Sequence, residues 1–427
     1  MKVKLEDCVE ILDDKRIPLS NNEREGLAKI YPYYGAQGII DKVDRFLFDG
    51  DYILVAEDGN NLKSLSMNIA TWATGKFWVN NHAHILGPKN GYNLKFIYYL
   101  LNSLDLRGFI TGSAQPKFNQ DNLRRIPLNI PVKEKQDIIA KILTNLDNKI
   151  EMNNALSSKL ESLARMIYNY WFLQFDFPDE NGRPYRSSGG KMVWNEELKR
   201  EIPEGWEVNK LSNIFDTKLG GTPSTKNAEY WGGQIHWLNS SETSVSPVLD
   251  SELSITKEGM NKSSTAFAKA GSIVMSIVRY IRPAILGIDT CFNQSVVSIA
   301  QNDKYKSSYI YPMICSHISE YMALRTGAQQ PHINKETVDN TLLVCPPRNI
   351  LKMYYNRVDE IYKMQLCVAK ETKNLTSLRN FLLPLLMNDQ VTFKKAESKV
   401  QYFADGQTAA DCSMVAEHGT EYGGKGE

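Results

Sequence analysis

The chain lacks the patterns that mark secreted, disulfide-linked or membrane-spanning proteins. Its six cysteines stand alone, at positions 8, 291, 315, 345, 367 and 412, and none forms a Cys-x-x-Cys pair. Isolated thiols of this kind are typical of a reducing compartment. The first residues carry no apolar signal-peptide core, and the longest apolar run, residues 381–387, contains Pro384 and is too short to cross a bilayer. We therefore expect a cytoplasmic protein without a membrane partner.

Signatures of catalysis are missing as well. The chain has no Gly-x-x-x-x-Gly-Lys-Ser/Thr loop, no Gly-x-Gly-x-x-Gly after a predicted strand, and no Asp/Asn-Pro-Pro-Tyr/Phe segment of the amino-methyltransferase kind. One nuclease-like pattern, Asp179 followed by Glu197 and Lys199, would place two carboxylates beside a lysine for Mg²⁺. Because it lies in a connector rich in glycine and serine, we interpret it as linker charge and keep nuclease activity as the enzyme alternative.

Two histidines could form a metal-binding pair. His82 and His84 would lie on one face of a strand. No third ligand lies near them in sequence, so we interpret them as surface or core residues. The sequence thus predicts no catalytic residue, no metal site and no cofactor in this chain.

What the chain does have is enough apolar material for several cores. It contains 427 residues, of which 42% are hydrophobic, and a chain of this length folds into about two or three domains. Its 50 basic and 49 acidic residues leave a net charge of +1. Taken alone, that balance argues weakly against a nucleic-acid binder, but it does not show whether basic residues concentrate on one face.

One motif occurs twice, about half the chain apart. Residues 111–119 read Thr-Gly-Ser-Ala-Gln-Pro-Lys-Phe-Asn, and residues 326–334 read Thr-Gly-Ala-Gln-Gln-Pro-His-Ile-Asn. The offset, 326 − 111 = 215, also relates Pro131 to Pro346. Solenoid repeats are only about 20–50 residues long, so the pattern indicates a duplicated domain. Such a chain presents two similar surfaces related by a pseudo-two-fold axis, which suits duplex DNA.

A long heptad pattern follows each copy of the motif. In the first, residues 139, 146, 160 and 167 form one apolar row, and residues 142, 156, 163 and 170 form the second. The same offset gives 354, 361, 368, 375 and 382, with 364, 378 and 385, in the second helix. Two such helices can bury one seam against each other. The residues that we expect to pack there include Leu146, Leu160, Leu163, Ile361, Leu375 and Leu378.

These patterns predict a mixed α/β (α+β) fold, in which two β-rich domains are joined by two long antiparallel coiled-coil helices. Short β-rich runs punctuated by Gly, Asn and Asp support the β-rich assignment. The predicted divisions are a first domain at 1–135, a central helix at 136–176, a linker at 177–206, a second domain at 207–349, a C-terminal helix at 350–388 and a disordered tail at 389–427.

Amide and basic side chains occur in and around the repeated motif. Glutamine and asparagine can pair with adenine, and lysine and arginine with guanine or phosphate. A loop that only orients the following helix, capped by Asn119 or Asn334, is the alternative. The candidate DNA-binding residues are Lys63, Lys76, Gln115, Lys117 and Arg124 in the first domain and Arg279, Tyr280, Arg282, Gln329, Gln330 and His332 in the second.

Together these features resemble the specificity subunit of type I restriction–modification systems. The resemblance covers residues 1 to about 388 and rests on the two Thr-Gly-x-x-Gln-Pro-x-apolar-Asn motifs and the heptad helix after each. It also rests on the proline-containing stretches at 126–131 and 343–347 and on the connector between 175 and 208. The helix entries depart from the family's Pro-Leu-x-Glu-Gln pattern, most at residues 347–351.

The resemblance implies two target-recognition domains, each reading half of a split, asymmetric DNA sequence, with the helix pair setting the distance between the halves. It also implies that the helices dock two methylation subunits, which carry S-adenosylmethionine. Restriction subunits, where present, would bring ATP and Mg²⁺ chemistry. The chain itself would then be a non-catalytic subunit that binds double-stranded DNA. The alternative from another class is a duplicated coiled-coil scaffold without DNA contact.

Overall fold

The computed structural model describes residues 2–62, 67–112 and 116–391 of the chain. Two predicted DNA-binding residues, Lys63 and Gln115, lie outside the described residues, and so does the predicted tail from residue 392 onward. Within the described residues, a β-rich unit and a long helix occur in turn, twice along the chain.

The first β-rich unit is built from short strands. These are β1 (Lys2–Lys4), β2 (Val9–Ile11), β3 (Tyr31–Gly35), β4 (Gly38–Val43), β5 (Phe48–Asp49), β6 (Tyr52–Ala56), β7 (Ala70–Ala73), β8 (Lys76–Val79), β9 (Ala83–Pro88) and β10 (Pro127–Asn129). Its helices are α1 (Leu5–Cys8), α2 (Asn21–Arg24), α3 (Leu94–Ser103) and α4 (Gln120–Arg124), with 3-10 turns at Asp13–Lys15, Asn60–Leu62 and Arg107–Phe109. The strands form sheets in the orders β2-β9-β6-β7, β4-β3-β8-β5 and β1-β10.

A long helix and a packed connector follow the first unit. Helix α5 (Lys133–Tyr168) begins two residues after Pro131, with Val132 as its N-cap residue, and continues as one π-helical turn at Asn169–Leu173. The connector then forms a hairpin of β11 (Met192–Asn195) and β12 (Arg200–Pro203). Phe177 and Trp206 are buried and stack with ring centroids 5.0 Å apart. The segment predicted as a linker is therefore packed against the core of the second unit.

The second β-rich unit repeats the architecture of the first. Its strands are β13 (Glu207–Lys210), β14 (Thr217–Leu219), β15 (Trp231–Leu238), β16 (Leu253–Ile255), β17 (Ala266–Ala268), β18 (Ile273–Ser276), β19 (Arg282–Ile285), β20 (Thr290–Phe292), β21 (Val296–Ile299) and β22 (Leu342–Cys345). Its helices are α6 (Leu211–Ile214), α7 (Lys257–Asn261), α8 (Ser307–Ser316), α9 (Ile318–Ala323) and α10 (Lys335–Asp339), with 3-10 turns at Ala228–Tyr230 and Glu242–Ser244. Helix α11 (Arg348–Met387) ends the described fold.

The topologies of the two units match strand by strand. The sheet β14-β21-β18-β19 corresponds to β2-β9-β6-β7, and β16-β15-β20-β17 corresponds to β4-β3-β8-β5. The parallel pair of β3 with β8 recurs as β15 with β20. The duplication therefore extends through the whole β-rich unit, and the predicted pseudo-two-fold, mixed fold is confirmed.

Helices α5 and α11 pack antiparallel along their length. Tyr168, at the end of α5, contacts Tyr354 near the start of α11, with ring centroids 6.5 Å apart. At the other end of the pair, Arg379 donates to Asp147 at 3.1 Å. A helix of this length stays folded in water mainly by burying one stripe against a partner, and each helix supplies that partner to the other.

The burial of the helix residues differs between the two predicted rows. Leu146, Leu160, Ile361 and Leu375 are partly buried, as expected for the first row. The second row lies one residue later than predicted in both helices, at positions such as Leu143 and Ala164 in α5 and Val358 and Gln365 in α11, all buried. Leu163 and Leu378 are each 45% exposed and lie outside the seam.

A polar cluster interrupts the middle of the seam. Asn153 is 3% exposed and donates to Glu371 at 2.8 Å, and Lys149 pairs with the same carboxylate at 3.2 Å. The hydrogen bond from Asn153, with that from Lys149, lowers the pKa of Glu371. A buried polar group in a helical seam disfavours shifted registers, because sliding would leave it unpaired.

Candidate nucleic-acid interface

In the first unit, the repeated motif forms a loop docked at the end of β6. Thr111 and Lys117 exchange main-chain hydrogen bonds of 2.9 and 2.7 Å, and Phe118 donates to the carbonyl of Glu57 at 2.7 Å. The turn depends on Gly112, whose φ of 85° lies in the left-handed region that favours glycine. Phe118 is fully buried, so it anchors the loop in the core.

The second unit docks its motif in the same way at the end of β18. Thr326 and His332 exchange main-chain hydrogen bonds of 2.9 Å, and Ile333 donates to the carbonyl of Ile277 at 3.0 Å. Gly327 supplies the positive φ, here 100°. This shared docking aligns the two turns that follow β6 and β18. The contacts match Glu57 with Ile277 and Asp58 with Val278, and counting one residue further along each turn pairs Gly59 with Arg279.

The last asparagine of each motif caps the following helix. The side chain of Asn119 accepts from the main-chain amide of Asn122 at 2.8 Å, and that of Asn334 accepts from Thr337 at 2.8 Å. These bonds satisfy amides that a helix start leaves unpaired. The orienting role left open by the sequence is therefore present at these two positions.

The turn of the first unit neutralises its cations internally. Glu57 pairs with Arg16 at 3.0 Å and with Lys117 at 3.4 Å. Asp58 lies 2.6 Å from Nδ1 of His82. Lys117 is still 60% exposed at its side chain, so it can reach a ligand, but it must share its charge with Glu57. Neither Arg16 nor the His82–Asp58 pair was singled out from the sequence as a DNA contact.

A buried polar network holds the first loop from inside the unit. Nδ1 of His84 lies 2.6 Å from the carboxylate of Asp13, and Nε2 lies 2.7 Å from the carbonyl oxygen of Phe118. Burial by itself raises the pKa of Asp13, but hydrogen bonds from His84, Ile85 and Gln120 outweigh it and hold that pKa below the ordinary value of 3.8. His84 faces this network and His82 faces Asp58, so the two do not form a metal pair.

The turn of the second unit presents free cations instead. In the hairpin between β18 and β19, Ile277 and Ile281 are buried and fix the turn to the core, while Arg279, Tyr280 and Arg282 are exposed. Tyr280 is 59% exposed, and the guanidinium of Arg282 lies 4.8 Å from the centre of its ring. Arg279 has a φ of 59°. The predicted Arg279, Tyr280 and Arg282 therefore share one exposed turn.

The structure brings this turn and the second motif together. The amide of Arg279 donates to the carbonyl of Pro331 at 2.7 Å, and Arg325 donates to the carbonyl of Arg279. Arg325 was missed by the sequence reasoning, although a basic residue directly before the repeated Thr-Gly was a usable signal. Among the described residues, no Asp or Glu carboxylate forms an ion pair with the guanidinium of Arg279, Arg282 or Arg325.

The other predicted DNA contacts are less uniform. Gln329 and Gln330 are exposed on the second loop, where the ring of His332 lies 3.1 Å from the carbonyl of Gln330. Lys76 lies over the ring of Phe46 at 4.7 Å. Arg124 donates to Gln120 at 3.2 Å and stands 3.9 Å from Glu6. Lys76 and Arg124 thus already have partners within the first unit.

The nuclease-like residues Asp179 and Glu197 lie in two different turns of the connector. The carboxylate of Asp179 accepts from the amides of Asn181 and Arg183 at 2.8 Å, which closes a turn of the connector. Glu197 lies in the exposed turn between β11 and β12. Across the described residues, no group of three or more His, Cys, Asp or Glu side chains is placed to hold a metal. In the same part of the chain, no helix is long and apolar enough to span a membrane.

Two β-rich units of one topology, held apart by an antiparallel helix pair, define a class of tandem recognition proteins. The family model for the type I restriction modification DNA specificity domain matches residues 1–162 and 203–377. The chain belongs to this family, as a specificity subunit, and this confirms both the resemblance drawn from the sequence and the prediction of a non-catalytic subunit.

Individual relatives agree with the family. The MjaIX type I restriction enzyme specificity subunit of Methanocaldococcus jannaschii is 24% identical over 312 residues, covering 70% of this chain and 69% of the relative. A putative type I specificity subunit of Haemophilus influenzae is 35% identical over 142 residues, 33% of this chain and 36% of the relative. The crystal structure of a type I S subunit from M. genitalium has the same fold, with a TM-score of 0.59, 16% identity, and coverage of 90% of this chain and 95% of that one.

Proposed function

We propose that this chain reads a split, asymmetric DNA target, one half with each β-rich unit. The observation that carries the proposal is the pair of aligned turns after β6 and β18. They stand at the same place in matched topologies, yet one presents carboxylates with their cations and the other presents unpaired guanidiniums. Two readers related by a pseudo-two-fold axis can face successive grooves of one duplex, and different side chains there give different half-sites.

The helix pair would set the distance between the half-sites and dock two methylation subunits. Leucine side chains that the seam does not use support the docking role. Leu163 and Leu378 are exposed and related by the offset of the duplication, 378 − 163 = 215, as are exposed Met166 and Phe381. Exposed apolar groups repeated on both helices fit two copies of an apolar partner helix. Docking of restriction subunits, where the system has them, is part of the same proposal.

The methyl-transfer and cleavage chemistry would belong to those partners. The methylation and restriction subunits would bind S-adenosylmethionine, ATP and Mg²⁺. This chain would recognise the DNA, and the complex would work in the cytoplasm. No residue of this chain is assigned a chemical step.

Mapping methylated adenines tests the proposal. Cells that express this chain with its methylation subunit should methylate adenines within a two-part motif of unequal halves. A seven-residue insertion in both α5 and α11, at matched positions, should lengthen the gap and leave both halves unchanged. A map without a two-part motif would contradict the proposal and favour the scaffold alternative, which makes no DNA contact.

A further inference from the structure

Arg279 occupies a backbone conformation that residues other than glycine rarely adopt. Its φ of 59° lies in the left-handed region, where a Cβ crowds the neighbouring carbonyl oxygen. At the matched position the first unit has Gly59, with a φ of 114°. The second unit thus keeps an arginine where its own duplicate has glycine. A side chain retained against its backbone preference is a mark of functional sites.

The surrounding structure imposes this conformation. The amide of Arg279 is tied to Pro331, and its carbonyl is tied to Arg325. Ile277 and Ile281, on either side of the turn, are 5% and 4% exposed and hold it in the core. The backbone is fixed at three places, while the side chain of Arg279 is exposed. The strained backbone conformation therefore holds that side chain in the solvent.

The guanidinium of Arg279 has no partner of its own among the described residues, neither a hydrogen bond nor an ion pair. Arg282, which stacks on Tyr280, is near Arg279 in the sequence, and Arg325 donates to the carbonyl of Arg279. The patch is therefore cationic. A cationic patch of this kind attracts an anionic or acceptor-rich ligand. The planar fork of a guanidinium presents two parallel donors to O6 and N7, the two acceptors on the major-groove edge of guanine, whereas a lysine ammonium reaches them only as a compact point charge without that fixed fork.

We infer that Arg279 is a specificity-determining residue that reads a guanine in the half-site of the second unit. This inference rests on the proposed function, because it needs the second unit to contact DNA. At the matched place in the described part of the first unit, Gly59 has no side chain to read guanine in this way, and the neighbouring Asp58 and Glu57 accept hydrogen bonds. The two half-sites then differ in base chemistry at the matched position.

Two variants of Arg279 separate recognition from folding. Arg279→Gly removes the side chain and relieves the backbone, so the melting temperature should be unchanged or higher. Its complex with the methylation subunit should bind the cognate duplex about 10- to 100-fold more weakly, the usual value of one bidentate base contact. Arg279→Lys keeps the charge and should lose most of the discrimination while retaining the salt dependence of binding. Arg186→Ala, an exposed arginine of the connector, is the matched control and should behave like the unmodified chain.

The probe is a duplex that carries the motif methylated by the unmodified complex, with each guanine of the second half-site replaced in turn by 7-deazaguanine, which lacks N7. One such replacement should weaken the unmodified complex and leave the Arg279→Gly complex unaffected. The adenine-methylation map of Arg279→Gly should lose base preference at that position of the second half and keep the first half.

The outcomes distinguish this inference from the proposed function. A two-part motif that Arg279→Gly leaves intact, or that Arg279→Lys reads as well as the unmodified chain, overturns the inference alone. A second half-site without guanine on either strand also overturns it. An unmodified complex with no two-part motif overturns the proposed function and the inference together.

Discussion

The turn after β6 and the turn after β18 occupy the same place in two units of one topology, but they are built from different chemistry. The first holds its loop with a charged network, in which His84 bridges Asp13 and the carbonyl of Phe118. In the second, strand pairing places Val297 where His84 stands in the first, and Val297 is fully buried. Duplication has therefore kept the main-chain docking of the loop and changed what supports it.

The same contrast holds at the surface. The first turn pairs Lys117 and Arg16 with Glu57, whereas in the described part of the chain no carboxylate pairs with Arg279 or Arg282 of the second. A charge already paired contributes less to an external ligand, because the existing partner must be given up or shared. A nearly neutral chain can therefore still carry a local cationic surface on one of its two β-rich units.

The largest expected effect comes from breaking the buried network of the first unit. Asp13→Ala leaves His84 without its carboxylate and should cost about 3–5 kcal/mol, the usual penalty for removing one partner of a buried pair. Hydrogen exchange of the two loops, at 111–118 and 326–333, should show protection lost in the first unit and kept in the second. Equal loss in both loops would mean that the units are not supported independently.

A fall in pH should also destabilise the loop of the first unit before that of the second. The pKa of Asp13 is lowered in the fold, so its stabilising contribution is present above the ordinary value of 3.8 and is lost as the pH falls through the lower folded value. The loop of the first unit should open before that of the second during acid titration followed by hydrogen exchange. Asp13→Asn, which does not ionise, should remove the difference in pH dependence.

Salt dependence sharpens the surface comparison. Arg282→Ala should reduce the slope of log affinity against log salt by about 1 if the residue neutralises one phosphate. Lys117→Ala should reduce it clearly less, because Glu57 already balances that charge. Binding measured over a series of salt concentrations tests both, and a larger change for Lys117 would reverse the assignment of charge to the second unit.

The smallest effect on folding is expected on the outer face of the helices. Leu163→Lys and Leu378→Lys should each change the free energy of unfolding by no more than about 0.5 kcal/mol, as is usual for exposed positions. Leu143→Ala, within the seam, should cost about 2–5 kcal/mol. If the exposed leucines dock one methylation subunit each, either lysine variant should lower the number of bound subunits from two to one, measured by native mass spectrometry.

The seam shows what a heptad pattern can predict about buried residues and what it leaves open. Rows three apart, such as Ile139 with Ile142, and rows four apart, such as Ile139 with Leu143, both satisfy a heptad. Leucines at 156, 163 and 378 favoured the first choice. The partner helix lies along the rows four apart, so Leu143 and Ala164 are buried and the leucines at 156, 163 and 378 are exposed.

The alignment of the two turns could not be read from the repeat. The motif repeats at an offset of 215, but the strands before it repeat at 277 − 57 = 220, because Ile277 takes the place of Glu57. The offset of the motif therefore does not relate Asp58 and Gly59 to the turn that contains Arg279. The match between the two turns follows from the hydrogen bonds of Phe118 and Ile333.

Local spacing and propensity are enough to specify the duplication and the two long helices, and the sequence alone predicts both. Tertiary structure alone decided which row of each helix is buried, which histidine is internal, and that Arg279 stands where the first unit has Gly59. Those features depend on contacts between segments far apart in the chain, and a local pattern leaves such contacts undetermined. The repeated motif locates the two turns, and the fold around each turn decides which side chains it exposes.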